Sequence, residues 1–121
     1  MEERWLSSQK GVSVQDIFPN EVGQWQQRGA RIIDVREPAE YAGGHLPGAV
    51  NVPLASLTLT PELSASPLVL VCASGGRSAR AAALLEEAGH PEVANLLGGT
   101  FGWMQESRPA EFPEVDGDAR H

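Results

Sequence analysis

The sequence predicts one α/β layered domain, and three observations carry that prediction. An uninterrupted apolar run, Leu68, Val69, Leu70, Val71 and Cys72, follows Pro67; such a run marks a strand buried on both faces, as in parallel sheets. Weaker strand candidates alternate with helical segments along the rest of the chain, the pattern of a layered α/β fold. The length, 121 residues, suits a single core and would cramp two.

Five strands are expected. Residues 12–14 are the first, and residues 30–35 the second, through Ile32, Ile33 and Val35. Residues 49–52, 68–72 and Val93–Leu96 complete the set. Between the first two strands, residues 19–28 form a helix with proline at its start and Gly29 at its end. Pro38–Ala42 forms a second, closed by Gly43 and Gly44. The clearest helix is 78–88, where Ser78 can cap the start, Ala79, Ala81, Ala82, Ala83, Leu84 and Leu85 are apolar, and Gly89 ends it. Its alanines permit close approach to a sheet. A last helix, 100–107, stops before Pro109, because proline disfavours helical geometry in the residue before it.

Hydrophobic residues at 41% and charged residues at 21% match ordinary folded domains. A formal charge of −7 makes nucleic acid and anionic membrane poor partners. The opening ten residues lack the apolar core of a secretory signal, and no stretch is long and apolar enough for a membrane helix, so the expected location is cytoplasmic. Residues 1–10 are expected to form a loose N-terminal segment, 11–108 the domain and 109–121 a flexible acidic tail.

The chain has one cysteine, Cys72, which rules out an intramolecular disulfide and a cysteine-rich zinc site. That thiol ends the most buried strand candidate, on the sheet edge where ligands bind in open α/β folds. Ala73, Ser74, Gly75, Gly76, Arg77 and Ser78 follow, and then the alanine-rich helix. Two glycines allow positive φ, and successive backbone N–H groups plus a helix N-terminus form a concavity suited to an anion. A nucleophilic cysteine needs such a field, since a free thiol with a pKa of about 8.5 is only slightly ionised at neutral pH. Arg77 faces the unfavourable end of the helix dipole, a cost that a bound anion would offset. The alternative is that Cys72 is a small buried hydrophobe and Arg77 a solvated charge.

Together with its surroundings this loop resembles the rhodanese homology domain over residues 12–103. Asp34, Val35, Arg36 and Glu37 with Glu40 and Tyr41, then Gly44, His45, Leu46, Pro47, Gly48 and Ala49, then Asn51, Val52 and Pro53, resemble the family's first signature region. Residues 72–78 resemble its active-site loop, and Gly98, Gly99 and Trp103 its closing segment. The resemblance implies a five-stranded, mainly parallel sheet with helices on both faces. It implies a sulfurtransferase in which Cys72 takes a sulfane sulfur from thiosulfate or a persulfide and passes it to a thiol or other nucleophile. The implied partners are a small-molecule donor and a thiol acceptor, which can be a protein persulfide; no metal or organic cofactor is implied. A noncatalytic regulatory or interaction module is the alternative. Phosphatase or arsenate-reductase chemistry fits less well, because Cys-dependent phosphatases place five residues between cysteine and arginine and this chain places four. Ala73 and Ser74 stand where members that favour thiosulfate often carry cations, which weakens the case for that donor.

Asp34 and Arg36 end a strand near the same sheet edge as the loop, where they can support it by hydrogen bonds, although such a pair is more often structural than catalytic. His45 sits in a Gly-His-Leu-Pro-Gly setting that favours a turn-organising role over proton transfer. Trp103 either lines the pocket mouth or packs in the core.

Overall fold

Five strands alternate with helices in a computed structural model that describes residues 14–59 and 67–112. In chain order these are β1 (Val14–Ile17), a 3-10 turn (Pro19–Glu21) leading into α1 (Val22–Gln27), β2 (Arg31–Asp34), α2 (Pro38–Ala42) and β3 (Val50–Asn51). A 3-10 segment (Leu54–Leu59), β4 (Leu68–Val71), α3 (Gly76–Glu87), β5 (Val93–Leu96) and α4 (Gly99–Gln105) follow. The strands lie in the order β1-β5-β4-β2-β3, and all four pairings are parallel. The sheet is therefore wholly rather than mainly parallel.

β4 takes the central position because its side chains are apolar on both faces. Leu68 and Leu70 join Ile33, Val35, Leu57 and the α3 residues Ala81, Ala82 and Leu85 on one face. Val69 and Val71 join Ile32, Leu96, Val22, Trp25 and Trp103 on the other. Each strand thus feeds two half-cores through its two-residue alternation, and the helices cover both faces. Ala81 and Ala82 are fully buried, so α3 lies close over β4 and β5.

Two boundaries differ from the sequence expectation. The first strand is Val14–Ile17 rather than 12–14; residues 12 and 13 lie outside the described residues. It is an edge strand whose Gln15 and Asp16 are exposed, so apolar patterning marked it weakly. α3 begins at Gly76, two residues before the expected Ser78 cap. The residue before it, Gly75, has φ 117° in the left-handed region, and Ser78, already inside the first turn, turns its hydroxyl elsewhere. Residues 109–112, expected to belong to the acidic tail, lie against the domain: His45 and Glu111 exchange backbone hydrogen bonds of 2.9 and 2.8 Å. The Gly48 amide also donates to the Glu111 carboxylate at 3.0 Å. The expected N-terminal segment 1–10 and the remainder of the tail, 113–121, lie outside the described residues.

Candidate active site

Cys72 follows β4 directly, at the carboxyl end of the central strand. It is buried, and its Sγ accepts a hydrogen bond from the Gly75 amide at 3.0 Å, while Ser78 Oγ stands 3.4 Å away. Burial pushes the thiol pKa up. Against that, the Ser78 hydroxyl and the amides of Ser78, Gly75 and Ser74 favour the thiolate, and the balance falls below the ordinary thiol value.

This ring of donors depends on two glycines. At Gly75, φ of 117° reverses the chain so that its amide returns to the sulfur three residues back. Gly76 has open space where a Cβ would stand and needs no such freedom. The other glycine, Gly99, lies across the loop: the amides of Thr100 and Phe101 donate to the carbonyls of Cys72 and Ala73 at 2.8 and 3.0 Å. With both carbonyls held by α4, the groups that reach Sγ from the loop are donors. A Cβ at Gly99 would stand 2.4 Å from the Cys72 oxygen, and φ there is 58°. Gly99→Ala is therefore expected to cost roughly 2–4 kcal/mol, from left-handed strain plus the overlap, and a urea midpoint measurement checks it. A loss under about 0.5 kcal/mol would show that the loop and α4 can separate freely.

Arg77 pairs with an acidic side chain from another helix. Its two terminal nitrogens donate to the two oxygens of Glu40 on α2, both at 2.9 Å. Each side chain remains about two-fifths exposed, at 40% and 38%. The guanidinium's hydrogen bonds, helped by the Glu37 amide, lower the Glu40 pKa from 4.5 to about 2. The pair's stabilisation is present above 4.5 and is lost as pH falls toward 2. Glu40 thus offsets the unfavourable helix end at neutral pH. Ala73 is half-buried, and Ser74 and Gly76 are exposed at the loop surface.

Asp34 and Arg36 are buried together, and their hydrogen bonds run to each other and to the 44–51 turn rather than to the loop, the structural alternative for this pair. Arg36 Nε and one terminal nitrogen grip the Asp34 carboxylate at 2.9 and 2.8 Å, and that terminal nitrogen also donates to the Gly44 carbonyl at 2.9 Å. Asn51 Nδ2 donates to the Asp34 and Arg36 carbonyls. The pair ties the 44–51 turn to β2, because a buried guanidinium must place its donors on whatever acceptors lie nearby. His45 organises that same turn: its ring stacks on Tyr41 at 3.7 Å and its Nδ1 lies 3.0 Å from the Tyr41 carbonyl. Trp103 belongs to the core, with Nε1 donating to the Pro109 carbonyl at 2.7 Å.

The family model of the rhodanese-like domain matches residues 18–106. The chain belongs to the rhodanese-like domain family. A sulfurtransferase of Allochromatium vinosum is 36% identical over 87 residues, covering 69% of this chain and 79% of that protein. The thiosulfate sulfurtransferase GlpE of Pseudomonas aeruginosa is 36% identical over 92 residues, covering 74% and 83%. YqhL of Bacillus subtilis, an uncharacterized protein, is 44% identical over 78 residues, and this chain spans 62% of its length. A second uncharacterized relative, slr1261 of Synechocystis, is spanned over 54% of its length. Among solved structures, a rhodanese-related protein of Thermoplasma volcanium superimposes with a TM-score of 0.72 at 26% identity, over 82% of this chain and 99% of that one.

Three residues of this rhodanese-like domain acquire a place at the site only through the fold. Glu40 was visible as part of a motif but not as the partner of Arg77, 37 residues away. Asn95 and Asp16 reach the site through Ser78, whose Oγ lies 2.5 Å from Asn95 Oδ1. A polar Asn95 inside the otherwise apolar strand Val93–Leu96 was the one available signal.

Proposed function

We propose that this rhodanese-like domain is a sulfurtransferase that carries a sulfane sulfur as a persulfide on Cys72. The observation that carries the reading is the ring of donors converging on a buried sulfur at the end of the central strand. The Cys72 thiolate attacks the outer sulfur of a donor such as thiosulfate; the donor S–S bond breaks, sulfite leaves with the bonding pair, and an anionic persulfide remains. An acceptor thiolate then attacks the terminal sulfur, and the pair of the broken bond returns to Cys72 as a thiolate. Charge is conserved in both steps. Amides that favour the thiolate make Cys72 a better leaving group in the second step. Ala73, Ser74, Gly75, Gly76, Arg77 and Ser78 form the donor-binding loop, and the acceptor is a small thiol or a protein thiol. The four-residue spacing between Cys72 and Arg77 favours sulfur over phosphate as the transferred group. We place the reaction in the cytoplasm, where a reducing poise keeps a lone thiol available.

Incubation with thiosulfate followed by mass spectrometry tests the reading. An added mass of about 32 Da on Cys72, removed by cyanide, is the expected result; protein left unmodified by thiosulfate and by small persulfides alike would point to a noncatalytic module.

The Arg77–Glu40 pair makes a further prediction, because Glu40 cancels much of the only positive charge in the loop. Arg77→Ala should lower kcat/KM for thiosulfate, a dianion, roughly tenfold more than for less charged persulfides. Glu40→Gln keeps the oxygen that the Glu37 amide uses but removes the charge, and should raise kcat/KM for thiosulfate by about threefold. Equal falls for both donors in Arg77→Ala, with no gain in Glu40→Gln, would assign the pair to holding α2 against α3.

A further inference from the structure

Behind Ser78 a chain of hydrogen bonds leaves the active-site loop and ends on the outer strand. Ser78 Oγ lies 2.5 Å from Asn95 Oδ1, and Asn95 Nδ2 donates to Asp16 Oδ1 at 3.2 Å. Ser78 and Asn95 are buried, whereas Asp16 is exposed on β1. The direction of the chain follows from what each group can do. A carboxylate only accepts, so the amide turns Nδ2 toward Asp16, and its oxygen, also only an acceptor, is left facing Ser78.

A serine hydroxyl has one hydrogen. Three acceptors compete for it: Asn95 Oδ1 at 2.5 Å, the Gly75 carbonyl at 3.3 Å and Cys72 Sγ at 3.4 Å. Asn95 is nearest by a wide margin. While Cys72 is a thiol, every group is satisfied, because the Ser78 hydrogen goes to Asn95 and the S–H can point to the Ser78 oxygen. When Cys72 ionises, the sulfur becomes the stronger acceptor. Giving it the Ser78 hydrogen, however, leaves a buried amide oxygen 2.5 Å from another oxygen with no donor between them.

We propose that Asn95 is a positioning residue that competes with Cys72 for the Ser78 hydroxyl hydrogen and so weakens, without abolishing, its help to the thiolate, with Asp16 holding the Asn95 amide in that orientation. Asn95 thereby limits how far the loop acidifies its thiol. A thiolate loses nucleophilicity as its pKa falls, so a cradle of unopposed donors would yield a well-ionised but sluggish sulfur; weakening one donor preserves attack on the sulfur donor. The inference rests on the reading of Cys72 as the nucleophile. Among the described residues few charges bear on this geometry: Arg77 on α3 with its partner Glu40 on α2, the Asp34–Arg36 pair at the end of β2, and Asp16 on β1. The strands β4 and β5 and the helix α4 contribute no titratable side chain.

The test is the rate of iodoacetamide alkylation against pH, which reports the ionisation of the single cysteine whether or not the protein transfers sulfur. Asn95→Leu, close in shape but without an acceptor, should lower the Cys72 pKa by about one unit. It should also lower the limiting rate of the fully ionised thiol by about threefold, as a Brønsted slope near one-half requires. In a Ser78→Ala background the same change should do nothing, since no hydroxyl remains to be released. Asp16→Ala lets the amide rotate and should shift the pKa the same way by less, while Asp16→Asn, which keeps an acceptor, should leave it near the wild-type value. An unchanged or raised pKa in folded Asn95→Leu, or a shift that persists without Ser78, overturns the inference. If Asn95→Leu does not fold, the two variants of the exposed Asp16 decide: equal pKa values would mean that charge rather than amide orientation matters, and the inference fails. Either failure, with persulfide still forming on Cys72, leaves the proposed sulfur transfer standing.

Discussion

Cys72→Ser is expected to lower thiosulfate:cyanide sulfur transfer by at least about a thousandfold, to the background of the solution reaction. The substitution keeps the size and a polar atom, so the packing of this side chain against α3 should persist. What it removes is a soft nucleophile that the surrounding amides can hold as an anion. A serine hydroxyl ionises too weakly for the same donors to produce a useful alkoxide, and oxygen cannot carry the transferred atom as a persulfide. The chain has no second cysteine to take over. Transfer assays on the purified variant, with circular dichroism to confirm folding, give the answer. Activity within tenfold of the parent would sink the persulfide reading and move attention to a noncovalent role for the loop.

The largest effect on stability is expected from Asp34→Ala. Arg36 is 5% exposed and Asp34 fully buried, so truncating the carboxylate leaves a permanent cation in the interior with the Gly44 carbonyl as its remaining acceptor among the described residues. Breaking one side of such a pair costs on the order of 3–5 kcal/mol, a large share of the roughly 5–15 kcal/mol that holds an ordinary domain folded. Urea unfolding followed by tryptophan fluorescence should show a markedly lower midpoint. The double variant Asp34→Ala with Arg36→Met should recover much of the loss, because it removes the stranded charge as well. A single-variant cost below about 1 kcal/mol would show that water reaches Arg36 and that the pair is not sealed.

The sequence alone determined the architecture and the place of the lone thiol in it. The run from Leu68 to Val71 could satisfy its side chains only with apolar neighbours on both faces, which placed it at the centre of a parallel sheet and put Cys72 at the sheet's functional edge. The glycine loop and the alanine-rich helix after it were legible for the same reason: backbone conformation and local packing are encoded over a few residues. Boundaries were less so, and the edge strand Val14–Ile17 was misplaced because Gln15 and Asp16, on its opposite faces, are both exposed and leave little apolar pattern.

The tertiary structure decided which polar groups meet. Arg77 could be recognised as a cation at a helix start, but that its charge would be taken up by Glu40 depends on how α2 packs beside α3. Asp34 stands beside Val71 in the sheet and so lies near the loop in space, yet the bonds it shares with Arg36 run to the 44–51 turn. Gly99 and Asn95, more than 20 residues beyond Cys72, reach its carbonyl and, through Ser78, its sulfur because β5 lies beside β4. A hydrogen bond requires atoms within about 3 Å and a suitable angle, a condition that residue type and spacing do not express and that only the packed sheet, with its fixed register, supplies.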